Sequence, residues 1–409
     1  MTFAPRAARS FILLAASSLG AACASSGVRT TDPTVLHAGG SAGALAFAVA
    51  RTRATAMALD PAAGFPRSTA PDGQWTVRRA TAWTSGFFPG TLWLLTRADG
   101  DPRLAELAAR WTAPLEVMDT VSNTHDLGFV LMPSFGRAYA ATHAPHDSAV
   151  LIRGATQLAR RFNPAVGAIK SWDTEKQTDR RGAWRFPVII DNMMNLELLF
   201  WASKHGGDPS LGTIAERHAL TSARTHLRAD GSVSHVALFD PTTGAFLGHD
   251  TWQGYDSSSA WARGQAWAIY GFTMANRESG NPALLDAARR AADFWIAHLP
   301  ADGVPYWDFR DPGIPNVERD ASAAAIAASG LLELANRVGG ADGTRYRASA
   351  AHTLRALETT YLARGTPAAS ILVHSVGGHP QHDELDVGIS YADYYFVEAL
   401  LRQRGVERQ

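Results

Sequence analysis

Apolar residues recur at helical spacing along almost the whole chain, and Gly, Pro, Asp and Ser interrupt them at intervals. This pattern predicts about twelve helices, most of which begin at a good N-cap residue. The predicted starts lie near Ser41, Ser85, Asp101, Asp126, His146, Asp191, Asp208, Asp256, Asn281, Asp320, Thr344 and Val387. Strand signals are scarce. The clear one is a β-hairpin inserted at residues 231–253, where two alternating runs flank a Pro-Thr-Thr-Gly turn.

Alternate helices differ in composition. One set is rich in small and aromatic residues, as in residues 321–330, whereas the intervening set is more charged. Because small residues allow close helix approach and charged residues face water, the two sets predict an inner and an outer ring. Six such pairs predict an all-α, closed (α/α)6 barrel. No linker divides the chain, so one domain is expected over residues 30–409, with an open helical solenoid as the alternative.

Residues 1–24 have the pattern of an export signal. Arg6 and Arg9 precede an apolar run at residues 11–22, and small residues around Cys23 suit cleavage. The run is too short to span a bilayer, and no later segment approaches the necessary length. We therefore expect export to the periplasm. Residues 20–23 resemble a lipoprotein cleavage box, so a lipid anchor at Cys23 on the cell envelope is the alternative.

The charge balance argues against a nucleic-acid partner. Lys plus Arg equals Asp plus Glu at 38 each, so no formal excess charge draws the chain to a polyanion. Twelve tryptophans and nine tyrosines supply flat side chains of the kind that fill cores and line sugar-binding clefts. Cys23 is the only cysteine, so no disulfide is expected.

Four segments with unusual residues lie at the starts of predicted inner helices. If these helices run in one direction, their N-terminal ends meet at one mouth of the barrel. Helix N-termini carry free N–H groups and partial positive charge, so this mouth would suit an anionic ligand such as a sugar carboxylate. The segments are Trp-Thr-Ser-Gly-Phe-Phe-Pro-Gly at 83–90, His-Asp-Leu-Gly-Phe at 125–129, Ile-Asp-Asn-Met-Met-Asn at 190–195 and Trp-Ala-Arg-Gly-Gln-Ala-Trp at 261–267.

Asp126 and Asp191 are the candidate acids of these segments. Either one taken alone could be a helix cap. As a pair they favour catalysis, because Asp191 follows an apolar run at 188–190 and burial beside a second carboxylate raises the pKa of an acid. A helix N-terminus has the opposite effect on the pKa, and the sequence leaves the balance open.

Four tryptophans cluster near these segments beside polar residues. They are Trp83, Trp252, Trp261 and Trp267, and either core packing or sugar stacking would account for each one. The clustering favours stacking, so we expect some of the four to be exposed. His125, His235, Gln253 and Arg263 would supply the hydrogen bonds and charge that hold hydroxyls and a carboxylate.

A C-terminal stretch contains three histidines and three carboxylates. Their spacing matches no metal motif, so we expect a loop that lines the cleft and no bound metal. The residues are His374, His379, His382, Asp383, Glu384 and Asp386. No nucleotide-type glycine loop is present, and no cofactor is expected.

Together, the four segments resemble glycoside hydrolase family 88, the unsaturated glucuronyl hydrolases, whose fold is an (α/α)6 barrel. The resemblance implies that Asp191 is the general acid and base and that Asp126 is a second essential aspartate that contacts the sugar. His235, Gln253, Trp261, Arg263 and Trp267 fall on other residues of that family's cleft. We expect Trp83, His125 and Ser375 to bind substrate with them.

The family's chemistry implies an acidic substrate, a lyase-generated fragment of two to four sugars whose non-reducing end is a 4,5-unsaturated uronic acid. Asp191 would protonate C4 of this vinyl ether and then activate water to attack C5. The loop at 374–379 lacks Lys and Arg, which favours unsulfated sugars. The alternatives are an unsaturated rhamnogalacturonyl hydrolase, an inverting glycosidase that works at the anomeric carbon, and a non-catalytic sugar-binding protein.

Overall fold

Two concentric rings of helices make up most of the molecule. The computed structural model describes residues 40–175 and 177–407. The inner ring consists of α2 (Phe87–Asp99), α4 (Leu127–Leu131) continued by α5 (Arg137–Thr142), α7 (Leu196–Lys204), α9 (Ala262–Ser279), α11 (Ala321–Val338) and α13 (Ser390–Gln403). The outer ring consists of α1 (Ser41–Ala58), α3 (Pro102–Thr112), α6 (Pro145–Ala159), α8 (Ser210–Thr225), α10 (Pro282–His298) and α12 (Gly340–Ala356). Each inner helix contacts the next, and α13 contacts α2, so the ring closes. The predicted (α/α)6 barrel is confirmed.

Small residues explain how the inner helices approach each other. In α11, the Ala-rich run from Ala321 to Gly330 is buried on every side. A Cβ on Gly330 would lie 3.0 Å from backbone atoms of Tyr270 on α9, so any larger residue would push the two helices apart. Asp320 caps α11 by accepting hydrogen bonds from the N–H groups of Ser322 (2.9 Å) and Ala323 (3.3 Å).

Three predicted inner helices differ in detail from the structure. The helix predicted near Asp191 begins at Leu196, after a 3-10 turn at Ile190–Asn195. The helix that begins after Asp126 contains a π-helical turn at Met132–Gly136, where Pro133 lacks the N–H of a regular helix. The helix predicted near Asp256 begins instead at Ala262. The Asp256 carboxylate accepts the N–H of Ser258 (2.7 Å), which stabilises a turn before the helix.

The predicted hairpin is present as β6 (Val236–Phe239) and β7 (Phe246–Asp250), but it is part of a larger sheet. A strand that was not predicted, β5 (Phe186–Ile189), pairs antiparallel with β6. The chain leaves β5 directly into Asp191, and the N–H of Ile190 donates to the carbonyl of His235 at 3.0 Å. This sheet therefore brings Asp191 and His235 together.

Two further strand pairs lie outside this sheet. They are β1 (Phe65–Thr69) with β2 (Trp75–Arg78), and β3 (Phe162–Asn163) with β4 (Ala168–Ile169). β1 also reaches the C-terminal loop, where the N–H of Thr69 donates to the carbonyl of Gly388 (2.9 Å). The N-terminal part of the barrel thus touches the loop that precedes α13.

The described residues lie within one compact unit, Ala38–Gln409. The predicted export signal and Cys23 lie outside the described residues. Within them, no helix combines the length and the apolar character that crossing a membrane requires.

Candidate active site

Asp126 and Asp191 face one pocket of about 100 Å³ at the mouth of the barrel, where inner helices begin. Its walls are formed by Arg67, Trp83, His125, Asp126, Phe129, Trp172, Ile189, Asp191 and Gln253. The structure therefore brings together, in one pocket, residues from three of the four sequence segments and from the loop after β7.

Asp191 is buried, with 7% of its surface exposed. It follows the fully buried strand β5 and lies in the turn Ile190–Asn195 that leads into α7. The pKa of Asp191 is raised to about 7; burial is the largest cause, and the charge of Asp126 contributes in the same direction. The charge of Arg263, a backbone N–H and the Trp267 indole lower the pKa. Desolvation therefore outweighs the helix-terminus effect that the sequence left open.

Asp126 occupies the N-cap position of α4, yet its carboxylate does not cap the helix. The N–H of Phe129 donates instead to Oδ1 of Asn195 (2.8 Å). One carboxylate oxygen of Asp126 accepts a hydrogen bond from the Thr124 hydroxyl (3.2 Å). The other oxygen lies 3.1 Å from Nε2 of His125. Because Asn195 supplies the cap, the Asp126 carboxylate remains available to the pocket.

Hydrogen bonds fix the orientations of the two histidines, His125 and His235. Nδ1 of His125 donates to the carbonyl of Ser171 (2.6 Å), and Nδ1 of His235 accepts the N–H groups of Trp252 (3.0 Å) and Gln253 (3.2 Å). The proton of His235 is therefore on Nε2, which lies 3.7 Å from Oδ2 of Asp191. Burial lowers the pKa of His125 and holds that of His235 well below its usual value.

Two of the four tryptophans are partly exposed, as expected. Trp83 lines the pocket and stacks on Tyr391, with ring centroids 5.2 Å apart. Trp252 lines a neighbouring pocket, and the guanidinium of Arg181 lies 3.9 Å from its ring centroid. Trp261 and Trp267 are buried in the core, so their faces are not open to solvent.

The neighbouring pocket has a volume of about 280 Å³ and opens beside the first. Arg67, Trp172 and Gln253 line both pockets, so the two form one continuous cleft. The remaining walls are Arg181, Trp252, Gly377, Gly378, Gln381, Asp383 and Glu384. The C-terminal loop therefore lines the cleft, as the sequence predicted.

Four residues predicted to bind substrate lie behind these walls. Arg263, Trp261, Trp267 and Ser375 are all buried. Arg263 donates to the carbonyls of Val376 and Gly377 (2.7 Å for Gly377) and lies 3.4 Å from Asp320. The Ser375 hydroxyl has no hydrogen-bond partner within the described chain. Direct substrate contact by these four residues stays a prediction, and the structure gives Arg263 a role in holding the loop.

Four of the six acidic and basic residues of the C-terminal loop are engaged in separate side-chain contacts. His374 pairs with Asp386 (2.6 Å), His379 with Glu318 (2.9 Å), and Glu384 with Arg67 (2.6 Å). Across residues 40–175 and 177–407, no group of His, Cys, Asp and Glu is arranged to hold a metal ion.

Arg67, Trp172 and Arg181 line the cleft but were not among the predicted site residues. No motif marks them, because they reach the site from strands and connections outside the inner helices. One signal was available for Arg67, since Pro71-Asp72-Gly73 is a strong turn sequence that predicts the β1–β2 hairpin.

No family model matches the chain. It is 45% identical to an unsaturated glucuronyl hydrolase of Formosa agariphila, over 79% of this chain and 80% of the relative. A crystal structure described as an unsaturated glucuronyl hydrolase specific for heparin superposes with a TM-score of 0.85 at 41% identity, covering 90% of this chain and 97% of that one. Another structure, a UGL variant with dGlcA-Glc-Rha-Glc, gives a TM-score of 0.83 at 34% identity, covering 89% and 97%. The chain therefore belongs to the unsaturated glucuronyl hydrolases, glycoside hydrolase family 88, and is a glycoside hydrolase.

Proposed function

We propose that this enzyme releases the 4,5-unsaturated uronic acid from the non-reducing end of lyase-generated oligosaccharides by hydrating the C4=C5 vinyl ether. One observation carries the proposal. Asp191 is a buried carboxyl in the cleft with a pKa of about 7. An acid with this pKa can donate a proton and take one back near neutral pH.

The reaction would use Asp191 twice. The protonated carboxyl gives its proton to C4, and positive charge develops at C5 and the ring oxygen. The Asp191 carboxylate then accepts a proton from water as the water oxygen bonds to C5, which restores the acid. The hemiketal at C5 opens to a ketone, and C1 is left as a hemiacetal that collapses to an aldehyde and releases the aglycone.

We assign one sugar to each of the two pockets of the cleft. The unsaturated sugar would occupy the pocket that contains Asp191, with Trp83 and Trp172 as walls. The next sugar would occupy the pocket beside Trp252 and the C-terminal loop, which opens toward solvent. The relative's ligand, dGlcA-Glc-Rha-Glc, has four sugars and supports a range of two to four for this enzyme.

We propose that the preferred fragments are unsulfated. A sulfate on the second sugar would need positive charge in the second pocket. There, Arg67 pairs with Glu384 (2.6 Å), Arg181 pairs with Asp179 (2.7 Å), and Asp383 adds a further carboxylate. The kcat/KM values of an unsulfated disaccharide and its 6-sulfated form would test this preference, and a higher value for the sulfated form would contradict it.

Labelling from heavy water tests the hydration chemistry. Protonation at C4 must place one solvent deuterium on C4 of the released keto sugar. Mass spectrometry and proton NMR of the early product, taken before exchange beside the carbonyl, would detect it. An unlabelled C4 would refute hydration and favour an inverting glycosidase that works at the anomeric carbon.

Two measurements distinguish this activity from that of a pectin-directed hydrolase and from sugar binding without catalysis. An unsaturated rhamnogalacturonyl hydrolase would turn over a pectin-derived unsaturated disaccharide faster than one that ends in unsaturated glucuronic acid. A sugar-binding protein would bind the same fragments equally well as wild type and as Asp191→Asn, and neither form would consume the double bond's ultraviolet absorbance.

We also propose that the enzyme acts outside the cytoplasm. The basic and apolar pattern of residues 1–24 supports export, and the box around Cys23 supports lipidation of the exported chain. Fractionation of cells that express the full chain, with Cys23→Ser as the comparison, would test both. Cytoplasmic retention of the wild type would contradict the proposal.

A further inference from the structure

A second cavity, with a volume of about 250 Å³, lies inside the inner ring of helices. Side chains of α2, α4 with α5, α7, α9 and α13 line it. It reaches Arg97 near the C-terminal end of α2 and Glu407 beyond the end of α13, whereas the cleft lies where inner helices begin. We call this space, which Phe129, Arg137, Glu197, Tyr270, Tyr395 and Glu407 enclose, the axial cavity.

Phe129 separates the axial cavity from the active site. Of the described residues, it alone lines both this cavity and the Asp191 pocket. Its ring is 3% exposed and packs against Trp83 and Trp267, with centroids 5.2 and 5.1 Å apart. A molecule in the axial cavity would therefore enter from the other end, where Ala140 and Arg97 are exposed.

Aromatic rings form much of the wall of the axial cavity. They belong to Phe129, Trp201, Tyr270, Tyr394 and Tyr395. Rings of this kind, together with a few polar groups, are typical of sites that hold small organic molecules. The volume lies below the lower end of typical ligand pockets, about 300 Å³, so it suits one sugar ring rather than a chain of sugars.

The charged groups of this wall are paired. Arg97 and Arg137 both pair with Glu407, and the Arg97 contact measures 2.6 Å. Glu197 pairs with Arg277 behind the wall at 2.5 Å. Because two arginines face two glutamates, a charged ligand would bring an unbalanced charge into an enclosed site, which is unfavourable. The wall therefore favours a neutral ligand.

Tyr395 supplies a free polar group. Only 3% of it is exposed, and its hydroxyl makes no hydrogen bond to the part of the chain that the structure describes. The neighbouring hydroxyls are engaged, since that of Tyr394 accepts from Arg137 (3.1 Å) and that of Tyr270 donates to Glu398 (3.2 Å). A buried hydroxyl without a partner costs free energy, so a molecule that hydrogen-bonds to Tyr395 would stabilise the cavity.

We propose that the axial cavity is a second binding site, which takes one neutral pyranose sugar at the end of the barrel away from the catalytic aspartates. The rings would pack on the C–H groups of the sugar, and Tyr395 and Glu197 would bond its hydroxyls. Water alone would satisfy Tyr395 but would leave the aromatic surface hydrated, which is unfavourable. The proposal goes beyond the proposed function and does not depend on it.

The experiment is a titration of the full chain with D-glucose, followed by saturation-transfer NMR. The cleft could also bind a sugar, so Trp252→Ala, which removes a ring of the second pocket, identifies that contribution. Ala140→Trp would block the exposed entrance of the axial cavity and should abolish the remaining binding. Tyr395→Phe removes only the hydroxyl and should raise the Kd of this site about 2- to 10-fold, as for loss of one neutral hydrogen bond.

Two controls complete the design. Tyr255→Phe makes the same change at an exposed tyrosine that lines neither the cleft nor the axial cavity, and it should leave the Kd unchanged. D-glucuronate has the same ring with a negative charge, and its Kd for the axial cavity should be at least about tenfold higher than that of glucose. Thermal unfolding checks that each variant is folded.

Binding of glucose that survives Trp252→Ala, disappears in Ala140→Trp and weakens in Tyr395→Phe supports the proposal. Absence of saturable binding would overturn it, as would binding that only Trp252→Ala removes. Equal affinity of the axial cavity for glucuronate would overturn the assignment of a neutral ligand. If Ala140→Trp does not fold, Tyr395→Phe compared with Tyr255→Phe decides between the same outcomes.

Discussion

Asp191 follows an apolar strand, so its carboxyl lies in a desolvated position. We expect Asp191→Asn to lower kcat by at least about 10²-fold, because an amide keeps the size of the side chain but cannot transfer the proton. Steady-state loss of the double bond's absorbance measures the rate, and thermal unfolding checks the fold. A folded variant that keeps more than about a hundredth of the wild-type rate would remove Asp191 from the central role.

The pH profile follows from the pKa of Asp191. Below about pH 7 the group is protonated and able to donate, so kcat/KM of the wild type should fall about tenfold per pH unit above that value. Since the charge of Asp126 raises the pKa of Asp191, Asp126→Asn should be slower and its basic limb should move to lower pH. A shift of the basic limb to higher pH in Asp126→Asn, or near-normal kinetics of this variant, would contradict this role for Asp126.

At the scale of elements, the approach of α9 and α11 depends on Gly330. A side chain there would meet the backbone of Tyr270, so Gly330→Val should lower the free energy of unfolding by about 1 to 3 kcal/mol. Ala341→Val on the exposed side of α12 is the matched control and should change it by about 0.5 kcal/mol. Chemical denaturation measures both, and equal effects would contradict the packing argument.

One buried residue, Asp320, contacts several of the elements around the site. Asp320 caps α11, faces Arg263 at 3.4 Å and accepts the N–H of Val376 at 3.4 Å. A helix cap, a buried arginine and the C-terminal loop are thereby connected. This connection explains why Arg263 lies behind the wall of the cleft and holds the loop.

At the scale of the whole molecule, a buried ionic network joins several inner helices. The carboxylate of Glu398 on α13 accepts hydrogen bonds from Arg137 (2.5 Å), from the hydroxyl of Ser329 on α11 (2.6 Å) and from the hydroxyl of Tyr270 on α9 (3.2 Å). Along the helix it lies about 12 Å from Ser390 at the mouth. It therefore stabilises the ring at a distance from the cleft.

Glu398→Ala should lower the free energy of unfolding by about 1 to 3 kcal/mol, because Arg137, Ser329 and Tyr270 lose a buried partner while Glu407 still pairs with Arg137. The KM of the remaining folded enzyme should stay the same. Arg289→Ala, which breaks an exposed pair with Asp342, is the control and should change stability by less than about 1 kcal/mol. A large rise in KM for Glu398→Ala would contradict the separation of this network from the cleft.

The sequence by itself determined the ring of paired helices and the position of both aspartates at inner-helix starts, because helical periodicity and capping are local properties. The β1–β2 hairpin was not predicted, although its Pro-Asp-Gly turn is a local signal for it. Only the tertiary structure decided which polar groups meet. Arg67 and Glu384 are far apart in the chain, as are Phe129 and Asn195. Burial of Asp191, engagement of Arg263 and pairing of Arg67 with Glu384 all depend on such long-range packing, which no local pattern encodes.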